Sequence, residues 1–221
     1  MRTLSVRIDL YAGGMTDDEP ITVLPANEAA WQDLKDIFGD RGPGHRCQCQ
    51  WYKLRPGETF GRQRVEERAA RLREQTNAGT PQAGTSGLIG YAGQVPVGWC
   101  SVEPRSHYEG LLRVYKVPWE GRHEDKGDDT VWAVTCLFVR AGYRRRGVSR
   151  ALAAAAVDRG RLCGASALEA YPIDPEGVIS EELHVGTRSV FAGAGLTEVH
   201  QPTRRRRVMR INFRGAERED R

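Results

Sequence analysis

The pattern of apolar and polar positions is clearest between residues 131 and 162. Residues 131–139, with the sequence VWAVTCLFV, are apolar or β-branched throughout, which is typical of a buried strand. Residues 148–162 are rich in Ala, Leu and Arg, which favour helix. The loop between them contains Gly147 and several arginines. This stretch therefore predicts a strand, a short basic loop and a helix in direct succession.

Weaker patterns predict the other elements. In chain order they are a strand at 21–24, a helix at 27–38 capped by Asn27, a helix at 58–76, a hairpin with strands at 88–92 and 95–102, a short helix at about 109–115, a strand at 165–171, a helix at 187–194, and strands at 196–199 and 205–213. A strand, a crossover helix and a second strand form a right-handed parallel unit, whereas the last two strands are expected to be antiparallel.

Composition and charge limit the classes of protein to consider. The chain has 221 residues, 28% of them charged, and a net charge of +4, which is too small to indicate nucleic-acid binding by itself. No apolar run approaches the ~20 residues of a membrane span. The N-terminus lacks a signal-peptide pattern, so we expect a cytoplasmic protein. We expect residues 1–20 to be a flexible extension, 21–214 one domain, and 215–221 a charged tail.

The basic loop is a candidate anion site. The first backbone N–H groups of a helix have no partner inside the helix, and the helix dipole adds partial positive charge there. Arginines strengthen such a site. Neither a Walker phosphate loop nor a dinucleotide fingerprint is present. The loop is therefore expected to bind an anion through a different motif.

Two motifs resemble those of a known family. The pattern Arg144-x-x-Gly147-x-Ser149 directly follows a strand and resembles the pyrophosphate loop, [QR]-x-x-G-x-[GA], of the GNAT superfamily of N-acetyltransferases, with Ser149 replacing Gly or Ala. The downstream segment from Phe191 to Leu196 resembles the second motif of the family, aromatic-x-x-x-G-F. The alternative interpretation is an arginine-rich solvated loop that caps an ordinary helix.

The resemblance implies a fold and a cofactor. The fold is α/β, with a mixed, mostly antiparallel central sheet splayed at its middle and helices on both faces. Acetyl-CoA is expected between the strands at 131–139 and 165–171. The pantetheine arm would lie against Leu137, Phe138 and Val139 as an added strand. The residues implied for the pyrophosphate are Arg144, Arg145, Arg146, Gly147, Val148, Ser149 and Arg150.

The resemblance also suggests catalytic residues, with two departures. Glu169 occupies a position where some members carry a catalytic glutamate, and its apolar neighbours predict a raised pKa. The alternative for Glu169 is a rim carboxylate paired with an arginine. The other common glutamate position is Ala133 here, and the usual tyrosine acid is Phe191. Tyr171, two residues after Glu169 on the same strand face, is the substitute acid.

Two loops are expected to form the acceptor site. By analogy with the family, Trp51 and Tyr52 in the loop at 39–57 would be substrate-wall residues. In the connection at 103–129, Tyr108 could line the acceptor pocket or simply pack. His45, Cys47 and Cys49 lack a second cluster with zinc spacing, so packing in a strand-like segment is favoured over a metal site, and no metal is expected. Reduced thiols also fit the five cysteines better than disulfides.

The function expected from this reading is acetyl transfer from acetyl-CoA to a primary amine of a small molecule or peptide. The amine would attack directly in a ternary complex. The alternatives are a CoA-binding regulator without turnover, suggested by Phe191, and a nucleic-acid-binding module built on the arginine clusters. The expected partners are acetyl-CoA and the amine acceptor, without nucleic acid or membrane, and a homodimer is left open.

Overall fold

The computed structural model describes residues 20–178 and 180–213. The extension predicted at 1–20 therefore lies almost wholly outside the described residues, as does the charged tail predicted at 215–221. Among the helices that are described, none combines the length and the apolar character that crossing a membrane requires.

The described elements follow the predicted order closely. The strands are β1 (Ile21–Pro25), β2 (Gly87–Ala92), β3 (Val95–Pro104), β4 (Val131–Val139), β5 (Ala167–Ala170), β6 (Thr197–His200) and β7 (Val208–Asn212). The α-helices are α1 (Trp31–Phe38), α2 (Gly42–Cys47), α3 (Val65–Thr76), α4 (Glu109–Arg113), α5 (Val148–Leu162) and α6 (Arg188–Gly193). Short 3₁₀ turns connect several of them.

The strands form one seven-stranded sheet in the order β1-β2-β3-β4-β5-β7-β6. The pair β4–β5 is parallel, and the other neighbouring pairs are antiparallel. The helix α5 connects the two parallel strands, as the strand–helix–strand pattern predicts. A mixed, mostly antiparallel sheet is thus confirmed.

The sheet splays between β4 and β5. The two strands pair only from Val131 to Val134, opposite 167–170, whereas β4 continues beside β3 as far as Val139. A β-bulge lies at the point of separation, because Val134 and Cys136 face successive residues of β3 and leave Thr135 as the extra residue. The outer half of β4 therefore has no strand partner on its β5 side.

Helices cover both faces of the sheet. On one face Val148 and Leu152 of α5 pack over β2, β3 and β4. Gly98 allows this close approach, because a Cβ atom at that position would lie 2.6 Å from the Val148 side chain. On the other face Leu34 of α1 packs with Trp99 of β3. The splayed half of β4 is therefore held between two packed layers.

Three local predictions differ from the structure. Asn27 does not cap α1, which begins at Trp31. Its side-chain amide instead donates to the carbonyl oxygens of Pro81 and Ala83, each at 2.9 Å. The helix predicted at 58–76 begins at Val65. The strand-like reading of the segment around Cys47 and Cys49 is wrong. Pro43 instead occupies the first turn of α2, where its fixed φ favours helix.

Candidate active site

The splay opens into a cleft with a volume of about 810 Å³. Its lining includes β4 from Cys136 to Val139 and, from the basic loop, Arg144, Arg145 and Ser149. The lining also includes aromatic, basic and loop residues, among them Trp51, Tyr52, Phe60, Tyr115, Tyr171, His184, Arg206 and Arg207. One continuous space thus connects the basic loop with an aromatic cluster.

The basic loop presents backbone amides at the start of α5. Gly147 is the N-cap residue, with φ of +83°, and Arg145 also has a positive φ of +64°. The amides of Arg150 and Ala151 bond back to the Gly147 carbonyl. The amides of Val148 and Ser149 in the first turn have no carbonyl acceptor within the helix. They form the part of the loop suited to an anion.

The side chains of the loop divide into two groups. Arg144, Arg145 and Ser149 line the cleft. The Val148 side chain is buried against β3, so only its backbone is available to a ligand. The Arg146 guanidinium lies 5.5 Å from the Tyr143 ring centre. Three other residues of the loop do not line the cleft, namely Arg146, Gly147 and the exposed Arg150.

The outer edge of β4 turns alternate backbone groups toward the cleft. Arg140 donates its backbone N–H to the Val97 carbonyl of β3 at 3.0 Å. Because successive residues of a strand face opposite edges, the amides of Leu137 and Val139 point away from β3. With β5 absent at this level, these amides face the cleft. They could pair with an extended ligand as a further strand would.

Glu169, predicted as a general base, is a fully buried member of an ion-pair network. Its carboxylate accepts hydrogen bonds from Arg105 at 3.2 Å, Arg122 at 2.5 Å, and Arg210 at 2.9 Å. Burial alone would raise its pKa, but the hydrogen bond from Arg122 and the charges of Arg122 and Arg105 outweigh burial and lower it. The predicted raised pKa is wrong, and Glu169 is not part of the cleft lining.

Tyr171, predicted as a general acid, lines the cleft but directs its proton elsewhere. Its hydroxyl donates to Glu169 Oε2 at 2.8 Å inside the protein. Burial, followed by the Glu169 charge, raises its pKa well above the ordinary value for tyrosine. The single phenolic proton is thus held by the buried carboxylate. This geometry contradicts the expectation that Tyr171 protonates a leaving group in the cleft.

The structure places only some of the aromatic residues predicted for the acceptor site in the cleft. Tyr108 is fully buried and outside the cleft lining, with its hydroxyl 2.9 Å from Ser101 Oγ. Its prediction as a substrate residue is wrong, and the packing alternative describes its position. Trp51 and Tyr52 do line the cleft. They contact Tyr115 with ring centres 5.8 Å and 4.8 Å away, respectively.

Sequence reasoning missed the basic side of the cleft. Arg206 and Arg207, interpreted as part of a solvated hairpin tip, line the cleft. Arg207 forms ion pairs with Asp174 and Glu198, at 2.8 Å and 3.4 Å. The antiparallel pairing of β7 with β5 brings the residues before β7 to the open end of β5. That placement depends on the strand order, which the local sequence does not reveal.

The cysteine- and histidine-containing loop also reaches the cleft. Cys47 and Cys49 line it, whereas His45 does not, and the His45 ring nitrogen Nδ1 lies 3.1 Å from the Gly39 carbonyl oxygen. Within residues 20–178 and 180–213, no group of three or more His, Cys, Asp or Glu side chains is arranged to hold a metal ion. Cys49 is buried against Trp99 and Cys136.

The chain is similar to several solved structures. A ribosomal-protein-alanine N-acetyltransferase from Brucella melitensis is 14% identical, with 86% of this chain and 99% of that chain covered and a TM-score of 0.50. An N-acetyltransferase from Staphylococcus aureus is 9% identical, with 87% and 98% covered and a TM-score of 0.50. An acetyltransferase from Salmonella typhimurium, solved with its cofactor acetyl-CoA, is 14% identical, with 87% and 93% covered and a TM-score of 0.49.

The first two likenesses show the fold. No curated protein matches the chain by sequence. The model of the acetyltransferase (GNAT) family matches residues 48–184, which is more than half of the chain and includes β4, the basic loop, α5 and β5. The resemblance to this family is thereby confirmed, and the match includes the first of the two motifs, at 144–149. The chain belongs to the GNAT family of acetyltransferases and is an acyltransferase with acetyl-CoA as its donor.

Proposed function

We propose that this acetyltransferase moves the acetyl group of acetyl-CoA to a primary amine of a small molecule or peptide. The amine attacks the thioester directly, with both substrates bound in a ternary complex. The observation that carries the proposal is the single cleft, which runs from the anion-binding loop along the open edge of β4 to the aromatic cluster. Its volume of about 810 Å³ leaves room for an acceptor beside the reactive end of the cofactor.

In this proposal, acetyl-CoA binds along the backbone amides of the basic loop and of the outer edge of β4. The diphosphate lies at the amides of Val148 and Ser149, and the positive charges of Arg144 and Arg145 favour it there. The pantetheine amides pair with the Leu137 and Val139 edge. Successive residues of a strand are about 3.3 Å apart. An arm that pairs with both amides therefore extends along β4 toward Cys136 and the aromatic residues of the cleft. The thioester is thereby placed where the acceptor enters.

The acceptor amine lies against the aromatic cluster of Trp51, Tyr52, Phe60 and Tyr115. Aromatic faces attract ammonium groups and exclude water from around them. To attack, the ammonium must lose a proton, and His184 lines the cleft beside Tyr52, with ring centres 6.2 Å apart. Imidazole is the side chain best suited to accept a proton near neutral pH. We assign His184 this role in place of Glu169.

Replacing His184 by glutamine is expected to lower kcat about 100-fold, because general-base catalysis contributes about 10²–10⁴-fold. The KM for acetyl-CoA should change little. The matched control is His123→Gln, since His123 is exposed and does not line the cleft. Steady-state kinetics with a reactive amine would check the prediction. A kcat equal to that of the control would remove His184 from the mechanism.

The function itself is tested by release of CoA thiol over a panel of small primary amines and peptides. The proposal expects amine-dependent release, with initial-rate lines that intersect when both substrates are varied. A CoA-binding regulator would bind the cofactor without amine-dependent release. A nucleic-acid-binding module would instead bind DNA or RNA with a steep salt dependence. The ion pairs of Arg207 with Asp174 and Glu198 argue against that alternative.

A cytoplasmic location and a homodimer remain predictions.

A further inference from the structure

Three thiols line the cleft near the point where β4 separates from β5. Cys136 lies on β4 directly before Leu137, whereas Cys47 ends α2 and Cys49 follows it. All five cysteines of the chain are free. Cys49 and Cys136 are only 7% and 6% exposed, so each reaches the cleft with one side and is otherwise packed. The mechanism above uses none of these thiols.

The thiol of Cys49 packs in one buried cluster with Trp99 and Cys136. The side chains of Cys136, Trp99 and Ser101 and the positive charge of Lys53 all act to lower the pKa of this thiol. Trp99 is fully buried in this cluster, and within the described part of the chain its Nε1 has no hydrogen-bond partner. An unpartnered buried N–H that packs in one cluster with a thiol of the cleft wall favours the thiolate form of that thiol.

The three thiols differ in pKa. The hydrogen bond from Cys136 is the largest effect on Cys49 and lowers its pKa to about 7, although burial opposes the change. Burial raises the pKa of Cys47 to about 11. The hydrogen bond with Cys49, followed by burial, raises the pKa of Cys136 well above the ordinary value for cysteine. Cys49 is thus the ionised member of the pair, and Cys136 keeps its proton.

The backbone holds Cys49 in this place under strain. Gln48 and Cys49 are consecutive residues with φ of +47° and +55°. Left-handed backbone is uncommon for residues other than glycine, and such strain clusters at functional sites. The two residues turn the chain sharply at the end of α2. The turn brings Cys49 against β4 beside Cys136.

We propose that Cys49 and Cys136 form a hydroperoxide-reactive dithiol, and that its oxidation to a disulfide stops acetyl transfer. The Cys49 thiolate attacks one oxygen of the hydroperoxide, so that an S–O bond forms, the O–O bond breaks, and the leaving alkoxide takes up a proton. Cys136 then attacks the sulfenic acid, so that the S–S bond forms and the departing hydroxide leaves as water with the Cys136 proton. Two thiol groups lose two electrons, which reduce the hydroperoxide to an alcohol and water.

The disulfide would alter the wall that receives the cofactor. An S–S bond is about 2.05 Å long, so forming it would draw the loop after α2 onto β4. Cys136 directly precedes Leu137, whose amide is assigned to the pantetheine arm. Bound acetyl-CoA covers the same wall and shields the dithiol. This link to acetyl transfer rests on the proposed function, whereas the dithiol chemistry does not.

The first experiment treats the full chain with hydrogen peroxide and maps the products by non-reducing peptide mass spectrometry. A disulfide between Cys49 and Cys136 is expected, and saturating CoA should slow its formation at least about tenfold. Failure to find this disulfide would overturn the proposal. Because the mapping requires no turnover, it separates failure of the dithiol from failure of the proposed acetyl transfer.

The second experiment measures acetyl transfer before oxidation, after it, and after dithiothreitol. The wild type should lose activity about tenfold and recover it, and so should the matched control Cys163→Ser, because Cys163 is exposed at the end of α5. Cys49→Ser should keep its own starting activity. In Cys136→Ser the sulfenic acid should persist and be trapped at Cys49 by dimedone, which decides the matter if Cys49→Ser does not fold. Unchanged activity in fully oxidised wild type would overturn the switch.

Discussion

Replacing Gly147 by valine is expected to weaken CoA binding by about 100-fold while the protein remains folded. Gly147 has φ of +83°, a conformation that a β-branched residue adopts at a cost of about 1–3 kcal/mol. A Cβ atom there would meet no other atom within 4 Å, so the effect comes from the backbone and not from a clash. Valine would rotate the backbone and turn the amides of Val148 and Ser149 away from the diphosphate.

The matched control is Gly142→Ala in the same loop. Gly142 has no positive φ, and a Cβ atom there would also lie in open space. Isothermal titration with CoA should give a wild-type Kd for this control. Thermal unfolding of both variants establishes that they are folded. Wild-type affinity in folded Gly147→Val would mean that the loop does not hold the diphosphate.

Replacing Glu169 by glutamine is expected to reduce the free energy of unfolding by about 3–5 kcal/mol, because it leaves buried arginines without their counter-charge. Arg105 is fully buried with Glu169, and Arg122 is nearly so. Urea unfolding would measure the loss. Glu66→Gln is the matched control, since the Glu66 side chain is 74% exposed and its ion pair is at the surface.

The same variant separates a structural role from a catalytic one. A carboxylate with a lowered pKa stabilises the fold above its unfolded-state pKa of about 4.3, and this contribution disappears as the pH falls through the folded-state value. The difference between wild type and Glu169→Gln should therefore shrink in acid. In the folded fraction, kcat should stay within about tenfold of wild type. A large loss of kcat with unchanged stability would instead restore Glu169 as the base.

The parts of the site that are local in sequence could be predicted. The strand β4, the loop around Gly147 and the start of α5 follow one another directly, and each has its own signal in residue type. An apolar run, a glycine where positive φ is needed, and an alanine-rich helix leave few alternatives. The motif of the basic loop could therefore be recognised in this stretch, and together with the downstream motif at 191–196 it indicated the family and its cofactor.

The environment of Glu169 could not be predicted, because it depends on chain segments far apart. Its apolar neighbours on β5 indicated desolvation and hence a raised pKa. Arg105 and Arg122 come from the long connection before β4, and Arg210 comes from β7. The hydrogen bond from Arg122 and the charges of Arg122 and Arg105 outweigh burial and lower the pKa of Glu169. The sign of a buried carboxylate's pKa shift thus depends on tertiary neighbours that local sequence does not identify.

The long connection at 103–129 also led to a wrong prediction. Aromatic residues in a polar loop suggested a substrate pocket, yet Tyr108 fills the protein interior beside Ala133. The bulge at Thr135, which lies where the sheet opens, arises from the register between β3 and β4. Neither residue differs in type from its neighbours enough to reveal these positions. Packing and register are settled only when the strands meet.

The central claim is that the outer edge of β4 receives the cofactor as an added strand. Amide hydrogen exchange at single-residue resolution, with and without CoA, tests it most directly. The amides of Leu137 and Val139 should exchange much more slowly with CoA bound, whereas the Phe138 amide, which faces β3, should change far less. If CoA binds and the Leu137 and Val139 amides exchange as fast as before, the cofactor does not lie along this edge.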